Sequence, residues 1–228
     1  MPTPFHKLIE TLDGYYSEFG DLALSDPFEL IVYTYIAYLA DDEKRNRAFQ
    51  LLSNTVGLQP QSILNATLDE LIAIAKTGGI HQEERARRIR LAAEIVLEDF
   101  EGDLKGVLKR PIRDAKRELM RFPYIGEPGA EKILLFTYSA PILALESNGL
   151  RVLLRVGFGE ERKSYSSSYR SVQNSIQLEP LDTCEWIINA YRLLRLHGKE
   201  LCKTNGPACQ ICPVKRGCEY NISNSRRG

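Results

Sequence analysis

The chain has 228 residues and no formal net charge at neutral pH, because 30 basic residues balance 30 acidic ones. This length suits one large domain or two small ones with an ample core, and the balanced charge argues neither for nor against a nucleic-acid partner. The opening residues show no basic segment followed by an apolar one, so we expect no secretory signal. The most apolar run, residues 30–40, is too short to span a bilayer. We therefore expect a cytoplasmic protein without a membrane partner, with its cysteines reduced.

Apolar residues recur at helical spacing along most of the chain, and the predicted fold class is all-α. Asp26 before Pro27 predicts the start of a helix over residues 28–39. Thr67 and Glu70 form a capping-box pattern that opens a helix over residues 68–76. The other predicted helices cover residues 5–19, 45–55, 60–64, 83–100, 112–121, 128–138, 150–156 and 183–196. The polar stretch 164–175 predicts a surface loop or a short helix.

Basic residues gather in two segments. Residues 105–121 contain seven lysines and arginines, including Arg121, against two acidic residues. The second cluster consists of Arg85, Arg87, Arg88 and Arg90. These clusters predict either solvated helix faces or one basic face that meets phosphate.

Four cysteines near the carboxyl end are arranged as Cys202-x6-Cys209-x2-Cys212-x5-Cys218. Their segment holds only Ile211 and Val214 as sizeable apolar side chains, so a metal centre rather than a core is expected to fold it. Four thiolates bind an iron–sulfur cluster or zinc. A structural zinc site usually has two short C-x2-4-C hooks, and this loop has one. Zinc is thus the second alternative, and a pair of disulfides is the third.

The cysteine spacing resembles the carboxy-terminal [4Fe–4S] loop of the endonuclease III family of DNA glycosylases. Residues 121–130 resemble the helix-hairpin-helix of the same superfamily. Their sequence is Arg-Phe-Pro-Tyr-Ile-Gly-Glu-Pro-Gly-Ala, and the usual sequence of the motif is L-P-G-V-G before a helix. In that motif glycine lets the chain approach a phosphate, and unpaired N–H groups at the helix start point at the anion. Gly126 matches the last glycine, whereas Tyr124 stands in place of the first.

The resemblance extends from about Asp26 to Tyr220. Residues 27–30 look like the family's P-F-E-L, residues 145–152 like its V-D-T-H-x-x-R-V, and residues 196–198 like its L-H-G. The resemblance implies two helical lobes with DNA in the cleft between them. A six-helix barrel lobe with the hairpin would cover residues 26–140, and a cluster lobe would combine residues 1–25 and 141–228. A [4Fe–4S] cluster would be held by Cys202, Cys209, Cys212 and Cys218. The DNA-binding residues implied in and beside the hairpin are Arg121, Tyr124, Ile125, Gly126 and Gly129.

The family's catalytic pair is altered. Bifunctional members carry a lysine two positions after the hairpin's last glycine, and its amine forms a Schiff base with C1′ of the nucleotide. Pro128 occupies that position here, and Lys132, one helical turn further on, is the alternative amine, although a solvated lysine is favoured. The family's aspartate, which stabilises the sugar cation, corresponds to Glu146. The resemblance therefore implies a monofunctional glycosylase or, alternatively, a catalytically silent binder of damaged DNA.

The family also extrudes the damaged base and fills the gap with a glutamine side chain. The corresponding residue here is Leu39, beside Tyr38, although its spacing from Tyr35 on a predicted helix favours a buried leucine. We expect a monomer that acts on damaged or abasic double-stranded DNA at the nucleoid. Tighter C-x2-C-x2-C spacing would be expected of an electron-transfer ferredoxin, which disfavours that third function.

Overall fold

The structure is a computed structural model that describes residues 4–16, 24–176 and 183–225. Thirteen α-helices and one short 3-10 turn form the regular structure of these residues, and no strand occurs among them. The predicted all-α fold class is confirmed. In the described ranges, no helix is long and apolar enough to cross a membrane.

The helices, in chain order, are α1 Phe5–Tyr15, α2 Pro27–Tyr35, α3 Asp42–Thr55, α4 Pro60–Asn65, α5 Leu68–Lys76, α6 Gln82–Phe100, α7 Lys105–Leu108, α8 Ile112–Leu119, α9 Glu127–Phe136, α10 Ser147–Val156, α11 Tyr165–Ser175, α12 Cys184–Glu200 and α13 Glu219–Ser225. The 3-10 turn Lys215–Gly217 precedes α13. The chain divides into two compact units. The central unit holds α2 to α9, and the terminal unit holds α1 and α10 to α13.

The central unit is assembled around α6, which packs against α2, α4 and α5. Its inner face is apolar at helical spacing, with Ala86, Ile89, Ala93 and Val96 all buried. Alanine at two of these positions lets the neighbouring helices approach closely.

The terminal unit is centred on α12, which packs against α1 and α10. Gly198 on α12 lies so close to α10 that a Cβ there would come within 2.7 Å of the Asn148 backbone oxygen and Cβ. Only glycine fits this contact without displacing backbone, and the contact brings the start of α10 against the end of α12.

Most of the predicted helices are present, with shifted ends. The capping box of α5 is confirmed: Thr67 Oγ1 accepts from Glu70 N at 3.3 Å, and the Glu70 carboxylate accepts from Thr67 N at 2.7 Å. The helix predicted over 5–19 ends at Tyr15, and residues 17–19 lie outside the described ranges. The helix predicted over 183–196 continues to Glu200. The stretch 164–175 forms helix α11, while α7 and α13 were not predicted.

The helix predicted over residues 28–39 is wrong at its carboxyl end, because α2 stops at Tyr35. The cause is the side chain of Arg85, which is only 2% exposed and reaches the backbone where α2 ends. Its guanidinium donates to the carbonyls of Ile36, Ala75 (2.7 Å), Gly79 (2.7 Å) and Ile80 (2.8 Å). One buried cation therefore satisfies carbonyls that the ends of α2 and α5 leave without helical partners.

The burial of Arg85 also corrects the prediction of a basic surface over residues 85–90. Arg90 is partly exposed, but it too binds backbone, donating to the carbonyls of Ala66 (3.2 Å) and Leu64 (3.4 Å). In this cluster only Arg87 is fully exposed. The spacing of these arginines along the helix does not indicate which of them donate hydrogen bonds to backbone carbonyls.

We predict that Arg85→Met will lower the free energy of unfolding by about 3 kcal/mol or more, because several buried carbonyls lose their donor together. Urea denaturation followed by circular dichroism measures the change. Arg87→Met is the matched control and should alter stability by no more than about 0.5 kcal/mol. Equal stabilities for the two variants would show that the guanidinium does not hold the ends of these helices.

Candidate functional site

The turn between α8 and α9 is held rigidly by its own backbone and by the core. Ile125 N donates to Phe122 O at 3.1 Å, and both of these side chains are buried. The Tyr35 hydroxyl donates to the Pro123 carbonyl. Because the Ile125 side chain faces the core, any external contact of this residue must use its backbone.

Gly126 opens α9 without a side-chain cap, with φ −86° and ψ −174°. These angles suit any residue, and a Cβ added here would meet nothing closer than Pro128 Cδ at 3.9 Å. The start of α9 is thus open on the side of Gly126, and uncapped N–H groups at a helix start bind anions. Gly129 differs, since a Cβ there would lie 3.3 Å from Ile125 Cγ2, so its role in this structure is close packing.

Tyr124 has a left-handed backbone, with φ 62°, at the position where the motif usually has glycine. For a residue with a Cβ this conformation costs about 1–2 kcal/mol. The side chain is 73% exposed, yet it is held in place. Arg88 Cζ lies 3.5 Å from the ring centroid, and the hydroxyl donates to Glu84 Oε1 at 3.2 Å.

The basic side chains next to the hairpin are paired within the central unit. Arg121 binds Asp99 at 2.6 Å and Glu118 at 3.1 Å. Lys116 lies 2.7 Å from Glu127 and 2.6 Å from Glu131. These ion pairs favour the interpretation of segment 105–121 as a solvated and paired helix surface.

Leu39 corrects the expectation of a buried leucine, because it is 78% exposed with φ 48°. After α2 ends, Tyr38 N donates to Gly78 O at 3.1 Å and Tyr38 forms a bridge with Gly79. A Cβ on Gly79 would lie 2.4 Å from Tyr38 O, so the close approach requires glycine. Leu39 therefore projects from a tied loop and not from a helix.

The same bridge places a second exposed apolar residue near Leu39. Ile80 is 49% exposed, and the His81 ring lies 5.8 Å from the Tyr38 ring. The sequence interpretation missed both residues. The adjacent Gly78-Gly79 was the available signal, because paired glycines indicate a close approach of two backbone segments.

All four cysteines of the carboxy-terminal loop line one small pocket, together with Val152, Arg155, His197 and Tyr220 among others. The four cysteines are free thiols, so they form no disulfide in this structure. Burial raises the pKa of Cys212 to about 11 and also raises that of Cys218. Within the described part of the chain, no three His, Cys, Asp or Glu side chains are grouped to hold a metal ion, so the thiols share a pocket without converging on one ion.

Two arginines of α10 anchor the start of this cysteine loop. Arg151 donates to Cys202 O at 2.9 Å through Nε and to Gly198 O at 2.8 Å through Nη2. Arg155 donates to the carbonyls of Lys203 (2.7 Å) and Thr204 (3.0 Å), and its Nη1 lies 3.5 Å from Cys202 Sγ.

Glu146 is the N-cap of α10, and both of its carboxylate oxygens are engaged. Oε1 accepts from Gly149 N at 2.7 Å, and Oε2 accepts from Asn148 Nδ2 at 2.7 Å. Asn148 Oδ1 in turn accepts from Arg151 Nη2 at 2.7 Å. A continuous hydrogen-bonded path thus joins the Glu146 carboxylate to the first cysteine of the loop. The Tyr165 hydroxyl supports the preceding residue by donating to Leu145 O at 2.9 Å.

Lys132 lies on α9 in the central unit, with Nζ 5.6 Å from the centroid of the Phe136 ring. Pro128 is in the first turn of the same helix, where a proline needs no N–H partner.

The central unit thus contains a helical hairpin with an open helix start, and the terminal unit contains a fixed carboxylate at a helix start and a four-cysteine loop. Endonuclease III of Rickettsia prowazekii is 25% identical to the chain over 203 residues, which is 89% of this chain and 88% of that protein. A trapped endonuclease III–DNA covalent intermediate matches with TM-score 0.76 and 20% identity, covering 98% of this chain and all of that one. A thermostable thymine-DNA glycosylase matches with TM-score 0.75 and 13% identity, covering 96% and 97%.

No family model matches the chain. The predicted resemblance is nevertheless confirmed, because similarity in sequence and in fold extends over most of its length. The chain is similar to endonuclease III over most of its length.

We predict that Arg151→Met will increase tryptic cleavage at Lys203 about tenfold or more, because the start of the loop loses its anchor at Cys202 O and opens more often. Limited proteolysis followed by mass spectrometry measures the rate. Arg162→Met is the matched control, since Arg162 is exposed and its side chain pairs with Glu160. Equal cleavage of the two variants would mean that Arg151 does not restrain the cysteine loop.

Proposed function

We propose that the protein is a monofunctional DNA glycosylase of base-excision repair, which hydrolyses the N-glycosidic bond and makes little or no Schiff base. The observation that carries this proposal is the pairing of a fixed carboxylate at Glu146 with proline at position 128. Similarity to endonuclease III and to an adenine DNA glycosylase of Buchnera aphidicola supports the general class of repair glycosylase.

The Glu146 carboxylate supplies the negative charge that the reaction needs. As the bond between the base nitrogen and C1′ breaks, its electron pair leaves with the base and positive charge builds on the sugar. A carboxylate stabilises that charge most when its direction is fixed before the reaction. The hydrogen bonds from Gly149 and Asn148 fix Glu146 in this way.

Pro128 determines which nucleophile completes the reaction. Proline has no amine, so the position that forms the Schiff base in bifunctional relatives is chemically inert here. Water then adds its oxygen to C1′ and releases a proton, leaving an abasic site with both strands intact. Lys132 is the alternative amine, but it lies one turn further along α9.

The central unit supplies the features suited to damaged or abasic double-stranded DNA. The open start of α9 at Gly126 suits a phosphate, which fixes register without reading sequence. The exposed side chains of Tyr38, Leu39 and Ile80 suit insertion where a base has left the stack. Nothing in this mechanism requires a second copy of the chain, and we propose that the protein acts as a monomer.

We further propose that Cys202, Cys209, Cys212 and Cys218 hold a [4Fe–4S] cluster that folds the loop. The donor set fits, because all four thiols line one pocket and Arg155 brings positive charge to Cys202. In such a cluster each thiolate binds a different iron, so the four sulfurs need not converge on one ion. Thiols whose pKa is raised by burial lose their protons on binding metal, which couples the centre to folding.

A second candidate function is binding of damaged DNA without catalysis. One observation favours it: both oxygens of Glu146 already serve as hydrogen-bond acceptors for the start of α10. In that case the carboxylate would be a structural cap only.

We predict that Glu146→Gln will reduce base release about 100-fold or more, since glutamine keeps an acceptor for the helix but loses the charge. Single-turnover release from a panel of lesion duplexes, measured beside binding, is the assay. Binding should be nearly unchanged. Glu160→Gln, in an exposed carboxylate, is the matched control and should keep full activity.

Borohydride should trap little or no covalent complex in the same reactions. Efficient trapping that disappears in Lys132→Ala would contradict the assignment of a monofunctional mechanism. Full activity of Glu146→Gln would show that the Glu146 carboxylate is not the catalytic group.

We predict that anaerobically purified protein will be brown, with about four iron and four sulfide per chain. Iron and sulfide analysis with visible absorption measures this. Cys202→Ser should lose most of the iron, because one of the four ligands is gone. Cys184→Ser is the control and should retain it, since Cys184 lies on α12 outside the loop. Stoichiometric zinc without visible absorption would exclude the cluster.

A further inference from the structure

Tyr124 combines strain with exposure in a way that helix geometry does not explain. A matched residue shows the contrast. Tyr138 is also exposed, with φ 57°, but it directly follows α9, where left-handed residues commonly end a helix. Ser139 N donates to Leu134 O at 2.9 Å in that turn, so local backbone bonding accounts for Tyr138. Tyr124 lies in the turn that the hydrogen bond from Ile125 N to Phe122 O closes, where a glycine would adopt the positive φ without strain, so the feature to explain is the tyrosine side chain.

The ring of Tyr124 is fixed although most of it faces solvent. Arg88 covers one face at 3.5 Å, and Glu84 accepts a hydrogen bond from the hydroxyl. Arg88 and Glu84 also pair with each other, so both restraints come from one turn of α6. The backbone beside the ring is held by the hydrogen bond from Tyr35 to Pro123. A strained residue that its surroundings hold in place is characteristic of a functional position.

The position of the ring determines which ligand it suits. Tyr124 lies two residues before Gly126, so its backbone adjoins the open helix start that suits a phosphate, while its ring rests on Arg88 of α6. Of the chemical groups close to a DNA phosphate, the nucleobase is the one that stacks on an aromatic ring. A paired base in a duplex has both faces covered by its neighbours. An unpaired or unstacked base has a free face.

We propose that Tyr124 is a stacking platform for an unpaired nucleobase, and that it gives the hairpin a preference for DNA with an unstacked nucleotide over a fully paired duplex. Arg88, which is paired with Glu84, holds the ring from the opposite face. This inference rests on the proposed function, because it requires DNA to bind at the hairpin.

The test compares equilibrium binding to two probes, a fully matched duplex and the same duplex with a single-nucleotide bulge, at one fixed salt concentration. Wild type should bind the bulged probe more tightly. Tyr124→Leu keeps an apolar side chain but loses the aromatic face, and it should weaken binding of the bulged probe about 5- to 100-fold. Its binding of the matched duplex should change less than about twofold, while Tyr124→Phe should retain the preference.

Two controls separate stacking from other effects. Tyr138→Leu changes a matched exposed tyrosine and should leave both affinities unchanged. Gly126→Val is compatible with the backbone but places a branched side chain over the open helix start that suits the phosphate, so it should weaken both probes alike. Tyr124→Gly relieves the backbone, so its melting temperature should equal or exceed that of wild type although the preference is lost.

The possible failures are distinguishable. If wild type binds neither probe, the proposed function fails. If wild type binds both probes equally, or if Tyr124→Leu weakens both to the same extent, DNA binding stands and the stacking role of Tyr124 is overturned.

Discussion

The guanidinium of Arg151 makes the contact on which the terminal unit depends. It binds the carbonyls of Gly198 and Cys202 on one side and the side chain of Asn148 on the other. Asn148 then orients the carboxylate of Glu146. The start of α10 with its Glu146 carboxylate is far from the cysteine loop in the sequence, yet the two share one set of charge-assisted hydrogen bonds, which are stronger than neutral ones. In the proposed mechanism, the hydrogen bonds that hold the start of the loop also fix the direction of the catalytic carboxylate.

Arg85 has the corresponding role in the central unit. Its buried guanidinium satisfies carbonyls near the ends of α2 and α5 and on the following loop. With α2 ended there, the chain turns, pairs with Gly79 and exposes Leu39. The exposed apolar loop is therefore a consequence of a buried cation. Both units use an arginine as a multiple backbone donor, which lysine could not replace with the same geometry.

The sequence predicted those features that depend on neighbouring residues. The capping box of Thr67 and Glu70 is local chemistry, and it occurs as predicted. The exposure of Leu39 could not be predicted, because it depends on Arg85, which is 46 positions away and looked like a surface charge. The strained backbone of Tyr124 could likewise not be predicted, although the sequence has tyrosine where the motif usually has glycine. The oxygens of Glu146 bind Asn148 and Gly149, which are close in the sequence, but the link from Asn148 through Arg151 to Gly198 depends on a contact between α10 and α12 that spacing does not encode.

In the proposed reaction the Glu146 carboxylate acts without an amine at position 128, so that base release and strand cleavage are separate events. The most direct measurement is a single-turnover reaction of wild-type protein with end-labelled lesion duplexes, divided into samples with and without hot alkali before electrophoresis. The account predicts free base in both samples and cleaved strands only after alkali, because an abasic site is the sole product. Equal strand cleavage without alkali would contradict it, since that outcome requires an amine nucleophile within the protein.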